Sequence, residues 1–305
     1  MGKGSFERID GVRGDTATGA PHTVDLRVTG QCQLRCDWCW GPEHSRKGGV
    51  TPAQWQKTLG YLAARGTKQV VFSGGEPLLS KSLRPGIEAA KSNGLNVTLS
   101  TNGILLEKNR DILASVDDLG IPIDGSNPST NNEMRRWSDR HNGWAKAIGA
   151  IRLAQEMRQA GESSVAVTAR TVIARPNVND VPNIPGALKE NGVDLANLRM
   201  KLYQVEPFGP HYEHINFDGD WAITAEEAQA AAYKTRENAP DANITLQLYG
   251  GTVGRYFLID PDGYATGTDE DKNGVPIEVA YGNIVNEFDS TLDAYMRHQE
   301  GLAQS

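Results

Sequence analysis

The chain is predicted to be an α/β protein built on parallel strands. Three observations predict it. Short strand-like runs alternate with helical stretches between residues 23 and 205, and the residues with chemical character cluster just after those strands. A chain of 305 residues, 38% of them hydrophobic, is long enough for one large α/β domain or two small ones. Strands separated by helices form right-handed βα units, and their repetition gives an open or closed barrel.

Residues 1–20 are polar and Gly-rich and read as a flexible arm. Thr23 to Gly30, Thr-Val-Asp-Leu-Arg-Val-Thr-Gly, alternates with the period of a strand. Thr51 is placed to cap a helix with Pro52 at its first position, where the missing N–H costs nothing, and Trp55, Leu59 and Leu62 recur on one face. The alternation continues with a strand Gln69–Ser73, a helix near Leu83–Ser92, a strand Asn96–Ser100, a helix near Lys108–Ser115 and a strand near Leu119–Asp124. A long helix Gly143–Ala160, a strand Ser164–Ile173, a helix near Val181–Glu190 and a strand Leu198–Val205 complete about six units before residue 210. The last third starts with a loop rich in Gly, His and aromatic residues and includes one helix near Ala225–Asn238. Arg255-Tyr-Phe-Leu-Ile-Asp-Pro-Asp-Gly263 reads as a strand and a Pro-Asp-Gly turn. We take 211–305 as a C-terminal extension that closes the open side of the barrel over the substrate.

Net charge is −7 and there is no long Lys/Arg run, which argues against an extended nucleic-acid footprint. No stretch reaches the length of a membrane span, and the start lacks the apolar core of a signal peptide. A cytoplasmic protein is expected, with neither nucleic acid nor membrane as partner.

All three cysteines fall in Cys32-Gln-Leu-Arg-Cys36-Asp-Trp-Cys39, and Gly74-Gly75-Glu76-Pro77 follows one βα unit later. Three cysteines on one short loop hold three irons of a cubane [4Fe-4S] cluster and leave the fourth open for chemistry. A zinc site, with His44 as fourth ligand, is the competing reading, but no second C-x2-C or H-x3-H pair stands at the usual spacing. The C-x3-C-x2-C spacing, the aromatic Trp38 before the last cysteine and the Gly-Gly-Glu-Pro run together resemble the radical S-adenosylmethionine (SAM) superfamily. That resemblance implies a partial (β/α)6 TIM-like barrel over 21–210, a [4Fe-4S] cluster on Cys32, Cys36 and Cys39, and SAM chelated at the open iron. It further implies an electron donor such as flavodoxin or ferredoxin, and a 5′-deoxyadenosyl radical that takes hydrogen from the substrate.

Ligands of parallel barrels sit at the carboxyl ends of strands, where each motif here falls. Gly74 and Gly75 let the backbone approach the SAM methionine, Glu76 can accept from its ammonium group, and Pro77 completes the motif. Ser100, Thr101 and Asn102 end the third strand, where the resemblance implies a ribose or carboxylate contact and an Asn-Gly turn is the alternative. Asp124 is a further possible contact; many relatives have a serine two positions earlier, where this chain has Pro122. Arg170 interrupts an apolar strand and, if inward, needs a partner such as the SAM carboxylate; an outward arginine paired to a helix is the other reading. Lys201 and Tyr203 share one face of the sixth strand. They are candidates to bind an anionic substrate and to stack or donate hydrogen.

A narrower resemblance, to viperin-like enzymes acting on nucleoside triphosphates, lies in Arg199-Met-Lys-Leu-Tyr-Gln204, Val172-Ile-Ala-Arg-Pro-Asn177 and Tyr256-Phe-Leu-Ile-Asp260. It implies a phosphate-binding role for Lys201, whereas Thr168 stands where a second lysine is expected. With every cysteine spent on one cluster, none remains for auxiliary clusters or for returning a hydrogen atom. The expected reaction is redox-neutral rearrangement, elimination or decarboxylation, or reduction with Tyr203, Tyr249 or another tyrosine as hydrogen source. The reading that follows is a radical SAM enzyme acting on a small polar metabolite, nucleotide, nucleoside or sugar derivative. A glycyl-radical-enzyme activase or a peptide-modifying enzyme is the alternative, and a non-catalytic zinc scaffold the distant one.

Overall fold

The computed structural model describes residues 19–42, 49–137, 142–209 and 215–304. Residues 1–18 of the expected arm, and His44, lie outside them. Seven parallel strands follow one another across one sheet: β1 (Thr23–Arg27), β2 (Gln69–Ser73), β3 (Asn96–Ser100), β4 (Asp118–Pro122), β5 (Ala166–Ile173), β6 (Arg199–Gln204) and β7 (Asn243–Gln247). On the other side of β1 come β8 (Phe257–Ile259), parallel to it, then the antiparallel β9 (Tyr264–Glu270) and β10 (Pro276–Asn283). Helices α1 (Pro52–Ala64), α2 (Leu83–Ser92), α3 (Pro128–Met134), α4 (Gly143–Gln159), α5 (Ile184–Glu190), α6 (Ala225–Asn238) and α7 (Phe288–Gln304) complete the chain.

Alternation along each strand divides the sheet into an aliphatic and a polar face. Val24, Leu26, Val70, Phe72, Val97, Leu99, Leu119, Ile121, Met200 and Leu202 all belong to the main hydrophobic core. Their neighbours Asp25, Ser73, Thr98, Ser100, Thr168, Arg170, Lys201 and Tyr203 point to the opposite face, since successive side chains alternate. Helices pack on the aliphatic face. α1 is fixed at its start by Thr51, whose hydroxyl accepts from the Gln54 N–H while the Gln54 side chain accepts from the Thr51 N–H, and it buries Trp55, Leu59 and Leu62. Burying each such side chain stabilises by roughly 1.5–3 kcal/mol.

The sheet curls toward its polar face. Arg170 on β5 is close enough to lower the carboxyl of Asp25 on β1, although three strands lie between them in the sheet. The partial (β/α)6 barrel expected from the sequence is therefore present, with polar side chains inside. Residues 248–256 carry the chain from β7 at one edge to β8 beside β1. The last third thus contributes four strands rather than the one expected, together with a second helix, α7, packed on β10. One predicted helix is tighter than expected, since Glu107–Ala114 is a 3₁₀ segment, while the helix expected near Val181–Glu190 forms as the 3₁₀ turn Val181–Asn183 leading into α5. Asp124 lies two residues beyond the end of β4.

Candidate functional site

The loop after β1 carries the three cysteines. Backbone N–H groups approach two of the sulfurs, Leu34 to Cys32 at 3.4 Å and Gly41 to Cys39 at 3.3 Å, and the Asn102 side-chain amide reaches Cys32 Sγ at 3.8 Å. Such donors favour sulfur bearing negative charge. Burial pushes the Cys32 thiol up to about 11, and burial likewise raises Cys36. A bare loop therefore keeps these thiols protonated, and only a bound cation would make them thiolates. Among the described residues no three Cys, His, Asp or Glu side chains converge to grip a single metal ion. Three cysteines on one loop can each bind a different iron, so the donor set fits a cubane iron–sulfur cluster.

Gly74 and Gly75 owe their lack of a side chain to this loop. Gly74 has φ +122°, and a Cβ on Gly75 would overlap the carbonyl oxygens of Gln31 and Gly30. In place of Cβ atoms, Gly75 N–H donates to Thr29 O at 2.6 Å and Glu76 N–H to Gln31 O at 2.7 Å. The close approach is thus made to the cysteine loop itself. Glu76 is wholly buried and accepts from Thr101 Oγ1 at 2.6 Å, Asn102 N at 2.8 Å and Leu78 N at 3.0 Å. Burial raises its carboxyl, against those three hydrogen bonds. Pro77, buried, heads the 3₁₀ turn that Glu76 caps. Glu76 therefore sets the end of β3, and Asn102, held there, turns its amide to Cys32 and to Gln33 Oε1 at 3.1 Å.

Asp124 and Trp38 meet through Arg135, a residue the sequence reading missed. Asp124 has no exposure, forms an ion pair with Arg135 and accepts from Val172 N at 2.7 Å. Burial raises its carboxyl, with Arg135 opposing. The Arg135 guanidinium lies 5.0 Å from the centre of the Trp38 ring, and its charge acts on Cys36. Trp38 Nε1 donates to Met134 O at 3.1 Å, Arg35 N to Arg136 O at 2.8 Å, and Arg136 pairs with Asp37 at 2.9 Å. In this arrangement Asp124 is a strut: it ties β4, β5 and α3 together, and α3 in turn holds the cysteine loop.

Inside the barrel, Arg170 points inward, which excludes the outward alternative. A Cβ on Gly120 would fall 2.6 Å from its guanidinium, and Nη1 donates to Ser100 Oγ at 2.9 Å. Its buried Nε has no hydrogen-bond acceptor, and no carboxylate of the described residues pairs with it. Lys201 is its register partner on β6, and Tyr203 follows on the same face beside Val172 and Gln247. Burial, then the charge of Arg170, push the Lys201 ammonium down, and burial pushes the Tyr203 phenol up. No described residue pairs with Lys201. Asp25, on the inner face of β1, accepts from Ser73 Oγ. Above β6 lies Glu206, also unforeseen, which accepts from Thr252 Oγ1 at 2.8 Å and from the Gly250 N–H; burial lifts its carboxyl to about 7. A hollow of about 830 Å³ beside this end of the barrel is lined by Gln204, Val205, Ile215, Phe217, Leu248 and Tyr249, among others.

Residues 26–180, half of the chain, match the model of the Radical SAM superfamily. A PqqA peptide cyclase of Rhodopseudomonas palustris is 30% identical over 81% of this chain and 60% of its own length. An S-adenosylmethionine-dependent nucleotide dehydratase of Selenomonas ruminantium is 27% identical over 61% of this chain and 69% of its own. Among solved structures, Streptococcus suis SuiB bound to S-adenosylmethionine superposes with a TM-score of 0.64 over 81% of this chain and 60% of that one, at 14% identity, a likeness of fold. The chain spans about half to 60% of the length of the first two PqqA peptide cyclases that it matches. Among the described residues no helix is long and apolar enough to cross a membrane.

Proposed function

Because the chain belongs to the radical SAM superfamily, we propose that it is an enzyme whose Cys32, Cys36 and Cys39 hold a [4Fe-4S] cluster and whose substrate is a small polar anion. The lean is toward a nucleotide, nucleoside phosphate or sugar phosphate. When bound, the cluster and SAM supply a hydrogen-abstracting carbon radical. This chain's residues do the rest. Glu76 and Asn102 set the end of β3 against the cysteine loop, Ser100 and Arg170 offer a hydroxyl and a guanidinium to the SAM carboxylate, and Lys201 binds the anionic substrate. Tyr203, above Lys201, stacks on the substrate or returns a hydrogen. A flavodoxin or ferredoxin is the electron donor.

One observation carries the reading: Arg170 and Lys201 stand in register inside the barrel, and among the described residues no carboxylate pairs with either. Two adjacent, half-buried cations repel each other, and an anion between them relieves that repulsion. The test is anaerobic. The reconstituted protein is given SAM, reductant and a panel of nucleotides, nucleosides and sugar phosphates, and 5′-deoxyadenosine is quantified. Formation should rise with an anionic member of the panel. Lys201→Met should raise its KM about 10- to 100-fold, the worth of one charge-assisted hydrogen bond. Stimulation by uncharged nucleosides alone would overturn the reading.

A peptide substrate is the second reading, favoured by the hollow of about 830 Å³ next to the end of β6, whose lining mixes apolar side chains with the polar Gln204, Asn216 and Asp218. R. palustris PqqA peptide cyclase and S. suis SuiB are proteins of that kind by name. A peptide that stimulates 5′-deoxyadenosine formation where every small anion fails would establish it.

A further inference from the structure

The interior of the barrel is charged unevenly. Arg170 and Lys201 make the β5–β6 side cationic, while the β1 side carries a carboxylate, Asp25. Asp25 and Arg27 both belong to the inner face of β1, two residues apart, and their partners differ. The Arg27 guanidinium turns to Asp260 at 3.2 Å and Glu278 at 3.4 Å, away from Asp25. Ser73, across on β2, donates its hydroxyl to one oxygen of Asp25. The other oxygen has no hydrogen-bond donor among the described residues. Asp25 is half-buried and this oxygen is not sealed off by the protein, so it stands open to a hydrogen-bond donor on a ligand inside the barrel. Burial raises this carboxyl, while the charges of Arg27 and Arg170 lower it, so Asp25 and Arg170 share one interior without touching.

We infer that Asp25 is a substrate-recognition residue, whose free oxygen accepts a hydrogen bond from a hydroxyl or ammonium group of the substrate at the end remote from the anion on Lys201. This rests on the anionic-substrate reading above and narrows it. The ligand carries an anionic group and, across the width of the barrel, a hydrogen-bond donor. A sugar phosphate or nucleotide supplies a hydroxyl, and an amino-bearing phosphate supplies an ammonium. Ser73 positions the carboxylate through the oxygen that the substrate does not use.

Equilibrium binding to the anaerobically reconstituted protein with SAM tests this, with inorganic phosphate, ribose 5-phosphate and 2-aminoethyl phosphate as probes. At least one of the two donor-bearing probes should bind the wild-type protein about tenfold or more tightly than inorganic phosphate. Asp25→Ala should bring that preference to within about twofold and leave inorganic phosphate bound no more weakly, which also reports an intact fold. Asp25→Asn, which keeps an acceptor without the charge, should retain part of a preference for ribose 5-phosphate but lose one for 2-aminoethyl phosphate. An unchanged preference in Asp25→Ala, or an equal loss for all three probes, overturns the inference. If Lys201→Met then weakens all three probes, the anionic-substrate reading survives that failure. If no probe binds the wild-type protein, both fall together.

Discussion

Glu206 makes folding stability depend on pH in a direction opposite to that of most surface carboxylates. It is 3% exposed, and burial lifts its carboxyl from the ordinary 4.5 to about 7, even though Thr252, the Gly250 N–H and Arg255 favour the ionised form. A carboxyl raised in the folded state binds more protons there than in the unfolded chain between these two values. Its stabilising contribution is therefore complete below pH 4.5 and is lost as pH rises through 7. The distance from 4.5 to 7 is worth about 3 kcal/mol at 1.36 kcal/mol per pH unit. Glu206→Gln keeps an acceptor for Thr252 and Gly250 but cannot ionise. Urea unfolding of wild type and variant, followed by circular dichroism without oxygen from pH 5 to pH 8.5, should give similar stabilities at pH 5. At pH 8.5 the variant should be more stable by about 3 kcal/mol. Parallel curves, or a variant less stable at high pH, would refute the argument, because either would mean that Glu206 ionises in the folded protein without penalty.

Other perturbations separate the roles of the scaffold. Gly75→Ala drives a Cβ into the carbonyls of Gln31 and Gly30, so the purified protein should lack the brown cluster absorbance and bind little iron. Arg135→Met leaves the Asp124 carboxylate buried and unpaired, which should cost about 3–5 kcal/mol of stability and lower the melting temperature. Leu59→Ala, in the α1 face on the far side of the sheet, should cost about 2–5 kcal/mol yet leave the iron content of the surviving folded protein unchanged. Iron analysis beside thermal melting distinguishes these three patterns.

What was legible in the sequence follows from how local each signal is. β2, α2, β3 and α6 were placed to the residue because each has a clear period and clean ends. The cysteine spacing and Gly-Gly-Glu-Pro are local too, and they located the loop that the site is built on. Arg135 could not be found in this way. It follows α3, whose Pro-Ser-Thr-Asn-Asn-Glu-Met sequence has no apolar period, and its importance comes from a contact with Trp38 almost a hundred positions away. The close approach expected of Gly75 is present, and its packing against Gln31 and Gly30 is an additional contact that only folding reveals. β7, β9 and β10 were missed. Five residues of β7 and the polar Tyr-Ala-Thr-Gly-Thr-Asp-Glu of β9 are strands because a neighbour pairs with them, and propensity alone is weak there. Glu206 carried no motif at all; its unusual titration is created by the link 248–256 folding over it.

That link also sets an order of events during synthesis. β1 leaves the ribosome well before the strand that covers its outer edge, β8, and Arg27 and Asp260 are 233 positions apart. At elongation rates of about 5–20 residues per second, the wait is roughly 10–50 s. Throughout it, the most cysteine-rich part of the chain hangs from a strand with one bare edge, a template for pairing with another nascent copy. Slowing translation ahead of β1 should therefore matter little to yield, whereas a pause placed just before the codon of Phe257 should raise the fraction lost to aggregates.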